Sequence, residues 1–278
     1  MASLAERHQA FWQLHQSGCF VIPNPFDIGS AKLMAALGAK ALATTSAGFA
    51  FTIGKPDMGR VTREEALAHA EAIVGATDLP VNGDFENGFG DTPDFVAETV
   101  RLAREAGLSG CSIEDTQMVE GNPAYDFDKA LDRIRAAVDA ARSLPEPFVL
   151  CARADGVLNG SYDVAEGVRR VEAFAKAGAD LLYIPLLPDI DSLRSITAVL
   201  QKPVNALAAG ALARHTVAEL AEAGARRISV GSQVARLTHA AIVEATKAML
   251  DEGNFAPFAK SANGRKIDAL LEKGGPSA

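Results

Sequence analysis

Apolar residues along this chain come in short, nearly unbroken blocks, separated by longer stretches whose apolar positions recur with a helical period. Four segments repeat one design: Ala36-Leu37-Gly38-Ala39-Lys40-Ala41-Leu42, Glu105-Ala106-Gly107-Leu108-Ser109-Gly110-Cys111, Lys176-Ala177-Gly178-Ala179-Asp180-Leu181-Leu182 and Glu222-Ala223-Gly224-Ala225-Arg226-Arg227-Ile228. Each reads as the end of a helix, a glycine just past it that accepts the left-handed conformation, and the start of a buried strand. Together with the other apolar blocks this predicts eight strands, at residues 20–23, 40–45, 80–84, 110–114, 148–153, 180–184, 203–206 and 227–230. Short, mostly apolar strands alternating with amphipathic helices imply a parallel sheet covered by helices.

The helix starts are marked as well. Thr62-Arg63-Glu64-Glu65 has the spacing of a capping box, Thr92-Pro93 sets a cap before a proline at the first helical position, and Asp163 and Thr216 are further caps. Eight alternating units in 278 residues favour a (β/α)8 TIM-type barrel over a doubly wound sheet. The chain reads as a single barrel domain, 1–278, with an extra amphipathic helix at about 1–18. Beyond Gly253 an extension, about 253–278, reads as a polar tail whose Phe255/Phe258 cluster is available to cover the barrel or a neighbouring subunit.

Composition removes several classes of function. Hydrophobic residues make up 48% of the chain, enough for a sizeable core, yet no apolar run reaches membrane-spanning length. The N-terminus lacks the apolar region of a secretory signal, and Cys19, Cys111 and Cys151 suggest reduced, buried thiols rather than a disulfide framework or a zinc motif. A cytoplasmic location is expected. The formal net charge of −8 and pI near 5.2 argue against nucleic acid or an anionic membrane as partner, while leaving room for a small anionic substrate.

The stretch Val81-Asn82-Gly83-Asp84-Phe85-Glu86-Asn87-Gly88-Phe89-Gly90-Asp91 sets two carboxylates at alternate positions where an apolar run breaks into glycines. At strand period Asp84 and Glu86 project to one side, and two hard oxygen donors suit Mg²⁺ or Mn²⁺. The competing reading is a solvated loop. In a barrel the catalytic groups come from the C-terminal strand ends, which here carry Ser46-Ala47-Gly48, Asp84 and Glu86, Glu114-Asp115, Arg153 with Asp155, Asn205, and Gly231-Ser232. Carboxylates clustered on adjacent strands repel unless a cation or raised pKa values compensate. Arg153 can grip a substrate carboxylate through two parallel N–H···O bonds, or it can pair with Asp155 or Glu114. Ser46, Ala47 and Gly48 read as a turn whose N–H groups receive an anionic oxygen, or as a plain loop. Asn205 is a further candidate for substrate contact.

Taken in order, Asn24-Pro25-Phe26-Asp27-Ile28-Gly29-Ser30-Ala31, Thr45-Ser46-Ala47-Gly48, Pro56-Asp57-Met58-Gly59, Asp84-Phe85-Glu86-Asn87-Gly88-Phe89-Gly90, Ile113-Glu114-Asp115 and Ala152-Arg153-Ala154-Asp155 resemble the isocitrate lyase and phosphoenolpyruvate mutase superfamily. The resemblance runs from about Asn24 to Val230. It implies a (β/α)8 barrel whose last helix is commonly exchanged between subunits, a homo-oligomer (dimer or tetramer), and a Mg²⁺-dependent reaction on a small 2-oxo or 2-hydroxy acid. It also implies that the D-x-D position, here Asp84-Phe85-Glu86, supplies the main metal ligands. Asp57 and Glu114 match further acidic positions often reached through water. Ser46 with the amides that follow it, and Arg153, match groups that bind the substrate's carboxylate and oxo oxygens.

Two departures narrow that expectation. Isocitrate and methylisocitrate lyases carry a K-K/R-C-G-H loop after the fourth strand, whose cysteine is the general acid, whereas residues 116–126 here contain no cysteine, lysine or histidine. Isocitrate lyase activity is therefore not expected. After the sixth strand, where those lyases have Pro-Glu and the mutases a histidine, this chain has Pro185-Leu186-Leu187, so a less polar wall is expected. The lead expectation is carbon–carbon cleavage, by retro-aldol reaction or decarboxylation, through an enolate that Tyr125 or a water protonates. One alternative is phosphorus–carbon chemistry, as in a phosphoenolpyruvate mutase or phosphonopyruvate hydrolase, with Asn122 against the phosphoryl group. Another is a non-catalytic 2-oxo acid binding protein. A Schiff-base aldolase is disfavoured because no lysine falls at a strand end, and the five histidines read as surface or packing residues.

Overall fold

The computed structural model describes residues 2–277; Met1 and Ala278, the outermost positions of the two expected terminal segments, lie outside the described residues. The elements run α1 (Leu4–Leu14), β1 (Phe20–Ile22), α2 (Ile28–Ala36), β2 (Leu42–Ala43), α3 (Ser46–Thr52), α4 (Arg63–Ala76), β3 (Val81–Asp84), α5 (Pro93–Glu105), β4 (Gly110–Glu114) and α6 (Phe127–Arg142). There follow β5 (Val149–Arg153), α7 (Gly156–Asn159), α8 (Val164–Ala177), β6 (Leu181–Tyr183), α9 (Ile190–Val199), β7 (Val204–Leu207), α10 (Val217–Glu222), β8 (Arg227–Ser229), α11 (Gln233–Asp251) and α12 (Gly264–Lys273). All eight strands are parallel, in the order β1-β8-β7-β6-β5-β4-β3-β2. At the seam the Ala43 N–H donates to the Pro23 carbonyl at 3.1 Å, so the sheet is a nearly closed (β/α)8 barrel.

The punctuation read from the sequence sits where its chemistry requires. Gly38, Gly107, Gly178 and Gly224 have φ of 98°, 83°, 108° and 92° just past their helices, which L side chains rarely adopt. Thr62 and Thr216 close capping boxes, and Thr92 and Asp163 each accept an N–H from the first turn. Each such cap contributes about 1 kcal/mol.

The strands are two-faced rather than uniformly apolar, because successive side chains point to opposite sides of the sheet. Val81, Cys111, Ile113, Leu150, Ala152 and Ile228 face outward into the main core beneath the helices. Alternating with them, Asn82 and Asp84, Ser112 and Glu114, Cys151 and Arg153, and Arg227 and Ser229 fall on the lumen side of the same strands. A smaller core of Phe20, Ile22, Ala41, Ala43, Val149, Cys151, Leu181 and Tyr183 fills the lumen, and Phe11 of α1 completes it from the N-terminal mouth. Full burial of Phe11 stabilises this plug by roughly 2–3 kcal/mol. His15 packs edge-on against Phe11 and Phe20, with ring centroids 4.7 and 5.1 Å apart.

The C-terminal segment is more ordered than a polar tail. A 3-10 turn at Ala256–Lys260 leads into α12, which packs on α2 so closely that a Cβ at Gly274 would strike the backbone of Lys32. Phe255 and Phe258 stay exposed. On α11 Leu237, Ile242, Val243 and Leu250 are also exposed, while Ala235 and Ala248 are its buried residues. Among the described residues no helix is long and apolar enough to cross a membrane.

Candidate active site

A cavity of about 240 Å³ opens at the C-terminal strand ends, lined by Ser46, Asp57, Asp84, Ser112, Arg153, Tyr183, Arg227 and Ser229 among others. Leu158, Pro185, Leu186 and Leu207 line it too, which gives the less polar wall expected after the sixth strand.

Asp84 is the hub. Its backbone N–H is fixed by Thr44 Oγ1 at 2.8 Å, and its carboxylate accepts four hydrogen bonds. Ser46 gives Oδ2 its N–H at 2.9 Å and its hydroxyl at 3.0 Å; Oδ1 receives Ser112 Oγ at 3.2 Å and Arg153 Nη1 at 2.7 Å. The same Nη1 lies 2.9 Å from Glu114 Oε1. The other side of the guanidinium forks onto Asp155, with Nε–Oδ1 at 3.0 Å and Nη2–Oδ2 at 2.7 Å. Of the two readings open for Arg153, the ion-pair arrangement is the one present, and its bidentate edge is taken by Asp155 rather than left for a ligand. Asp155 is anchored in turn: its N–H reaches Asp115, which also accepts from Tyr162 and Arg170. Burial opposes the charge on Arg153, but Asp155, Glu114 and Asp84 outweigh it and hold its pKa well above the usual range.

Glu86 departs from the expected geometry. The strand ends at Asp84, and Glu86 takes a left-handed φ of 45° in the turn that follows, so it does not continue the strand alternation. Its side chain is buried; Oε1 accepts the Gly59 N–H at 3.2 Å, and Oε2 has no hydrogen-bond partner among the described residues. Burial, with Asp84 and Asp57 adding repulsion against the Gly59 hydrogen bond, pushes its pKa up to about 7. Asp57 is raised by burial and then by Asp84, against a hydrogen bond from the Met58 N–H. Glu114 is raised by burial despite Arg153.

These residues do not form a cage: Asp57 and Asp84 line the cavity, whereas Glu86 and Glu114 do not. Among the described residues no three His, Cys, Asp or Glu side chains stand together as a ready-made metal cluster. An ion held by one or two carboxylates and waters needs no such cluster. The observation favouring one is an excess of carboxylate around Asp84, with Glu86, Glu114 and Asp155 buried and Asp57 half-buried, a single guanidinium among them and an orphan oxygen on Glu86.

Ser46, Ala47 and Gly48 are not a loop but the first turn of α3. Thr45 caps that helix by accepting the Gly48 N–H at 3.2 Å, so the Gly48 amide is already committed. A Cβ at Gly48 would lie 2.5 Å from Thr45 Cγ2, which is why the position is bare. Ala47 lines the cavity.

Three candidates are placed elsewhere. Tyr125 is buried under the loop after β3, accepting from Asn87 Nδ2 at 2.9 Å and donating to Asp91, with Arg133 stacked 4.1 Å from its ring. Its hydroxyl does not line the cavity, and burial raises its pKa to about 12. Asn122 turns its amide back to the Gln117 carbonyl at 3.2 Å. Asn205 reaches sideways in the lumen, donating to Ser229 Oγ at 2.9 Å and accepting from Arg227 Nε at 2.7 Å. The strand-end reading passes over Asn82, Ser112, Tyr183, Arg227 and Ser229, all of which line the cavity. The alternation Asn82/Asp84, Ser112/Glu114 and Arg227/Ser229 is the sequence signal that marks four of them, and Tyr183, at the end of an apolar strand, has no such partner.

The barrel, with charged groups gathered at its C-terminal mouth, defines the architecture of a (β/α)8 enzyme. Residues 11–250 match the phosphoenolpyruvate phosphomutase family, and the chain belongs to that family within the isocitrate lyase/PEP mutase superfamily. It is similar to a crystal structure of a candidate lyase/mutase from Burkholderia cenocepacia J2315, with a TM-score of 0.92 and 44% identity over 96% of each chain. It is 31% identical to 2,3-dimethylmalate lyase of Eubacterium barkeri, over 83% of this chain and 79% of that enzyme. Oxaloacetate decarboxylase of Pseudomonas savastanoi pv. phaseolicola is also 31% identical, over 90% of this chain and 84% of that one.

Proposed function

We propose that this protein is a Mg²⁺-dependent lyase that breaks a carbon–carbon bond in a small 2-oxo or 2-hydroxy carboxylic acid, by retro-aldol reaction or decarboxylation through an enolate. The observation that carries the reading is the meeting of Ser46 and Arg153 on Asp84. With Asp84 turned to a cation, the Ser46 N–H and hydroxyl and one arm of Arg153 become donors for the oxygens of a bound acid. Asp84 and Glu86, with Asp57 and Glu114 through water, would hold the ion, which supplies Lewis-acid polarisation of the oxo and carboxylate oxygens. In decarboxylation of a 2-oxo acid, where carbon dioxide leaves and its bonding electrons move to the 2-oxo oxygen, the donors stabilise charge developing on that enolate oxygen.

Returning a proton to the enolate carbon falls to Tyr183, which lines the cavity and whose ring lies 4.9 Å from the Arg153 guanidinium carbon. Burial raises the Tyr183 pKa and keeps it protonated. Phosphorus–carbon chemistry has less support, because Asn122 is tied into its own loop. The kinship with 2,3-dimethylmalate lyase and oxaloacetate decarboxylase supports carbon–carbon cleavage instead. The exposed apolar residues of α11 support assembly into a homo-oligomer.

Calorimetry with oxalate, a planar analogue of an enolate acid, tests the site. Binding is expected in Mg²⁺, with none in EDTA and none for Asp84→Ala. Equal affinity with and without Mg²⁺ would remove the metal from the account.

A further inference from the structure

Below the Asp84 layer the lumen holds a second cation in a different setting. Arg227, at the start of β8, is 3% exposed and borders the same cavity. Its Nε donates to Asn205 Oδ1 at 2.7 Å, and its two terminal nitrogens make longer contacts, 3.4 Å to Asn82 Oδ1 and 3.4 Å to Cys151 Sγ. All three partners are neutral. Among the described residues no carboxylate lies within ion-pair distance of Arg227, in contrast to Arg153 with its three.

The surroundings supply no hidden counter-charge. Arg153, the charged neighbour above, has the same sign and pushes the Arg227 pKa down, in addition to the larger effect of burial. On the other side His15 is neutral, its pKa lowered to about 3 by burial and then by Arg227 itself. Arg133 is also buried without a carboxylate, but three backbone carbonyls, of Glu114, Asn87 and Gly90, accept from it. Arg227 has one short hydrogen bond, two long ones to neutral atoms, and a place in the cavity lining. A desolvated guanidinium held this way is costly unless an anion completes it.

We propose that Arg227 is an anion subsite at the floor of the cavity and takes a second carboxylate of a substrate whose 2-oxo or 2-hydroxy acid head lies against Asp84, Ser46 and Arg153. The proposal rests on the functional reading above for the position of the head. Asn82, which Arg227 touches, precedes Asp84 by two strand residues, so floor and head are separated by roughly 6–7 Å. A short diacid spans that gap. Asn205, oriented by Ser229, aims the guanidinium and is a positioning residue.

The test compares malate with lactate, which differ in the second carboxylate, and uses oxalate as a probe of the head alone, all with Mg²⁺. In the wild-type protein malate, as either enantiomer, is expected to bind at least about tenfold tighter than lactate, in keeping with charge-assisted pairing. In Arg227→Met that advantage should vanish while oxalate affinity stays within about twofold; Arg227→Lys should retain part of it. Equal binding of malate and lactate by the wild type overturns the proposal whether or not the variants fold. So does a folded Arg227→Met that keeps the malate advantage, or one that loses oxalate as strongly as malate. Failure of the wild type to bind oxalate with Mg²⁺ would instead contradict the head assignment, and so the functional reading itself.

Discussion

Replacing Glu86 by glutamine should stabilise the metal-free protein at alkaline pH and weaken its hold on Mg²⁺. The carboxyl is buried, its Oε2 has no partner, and its pKa is raised from the ordinary 4.5 to about 7. A group whose pKa is higher folded than unfolded binds more protons when folded, so its contribution to stability is present below pH 4.5 and is lost as pH rises through 7. The difference of about 2.5 pH units corresponds to roughly 3 kcal/mol at 1.36 kcal/mol per unit. Glutamine resembles the protonated acid, keeping the acceptor for Gly59 and one unmet donor, so the two proteins should be about equally stable near pH 5. Near pH 8 the variant should be more stable by roughly 3 kcal/mol, on the order of 5–10 °C in Tm for a chain of this size. Denaturant unfolding in EDTA across that range measures the gap, and a Mg²⁺ titration should show the order of stability reversing as the ion loads the wild type. A gap independent of pH, or a variant less stable near pH 8, would refute the assignment of Glu86 as a buried, uncompensated carboxylate.

Arg153→Lys should lower oxalate affinity by at least about tenfold and destabilise the fold by on the order of 2 kcal/mol, because a point charge cannot serve Asp155, Asp84 and Glu114 at once. Unchanged calorimetry and melting would remove Arg153 from the centre. Tyr183→Phe should cut turnover by about 100-fold with KM little altered, the loss expected when a proton donor is removed; turnover within threefold of wild type would exclude it. Tyr125→Phe should leave kcat within about threefold but cost about 1–3 kcal/mol in unfolding experiments, since Asn87 and Asp91 lose a buried partner. A kcat collapse in a stable Tyr125→Phe protein would return that tyrosine to the chemistry.

The framework was legible because its signals are local. A glycine past each of four helices and caps such as Thr62 and Thr216 declare element boundaries through backbone conformation and orphan N–H groups, whatever the rest of the chain does. The site was legible only in part. Asp84 and Arg153 sit at the ends of their strands, so the barrel rule leads to them, and the structure brings them to 2.7 Å. Glu86 defeated a period-two reading because the strand stops two residues before it, in a turn shaped by contacts with Gly59 and β4. Ser46 to Gly48 read as an anion-receiving turn or a plain loop, and not as a helix, because a short helix of small residues has no amphipathic period. Arg227 was passed over because it stands at the start of β8, the end of the strand opposite the one from which a barrel's catalytic groups come. Its direction into the lumen follows from the parity it shares with Ser229, a signal that gains weight only once closure of the sheet is known.

The most direct test is a turnover panel of oxaloacetate, 2,3-dimethylmalate and phosphonopyruvate, with Mg²⁺ or EDTA, against Asp84→Ala as background. Mg²⁺-dependent release of pyruvate is expected from at least one of the two carbon–carbon substrates, absent in EDTA and in the variant, with no phosphate from phosphonopyruvate. Phosphate release without carbon–carbon cleavage, or pyruvate formation that survives both EDTA and the loss of Asp84, would contradict that expectation.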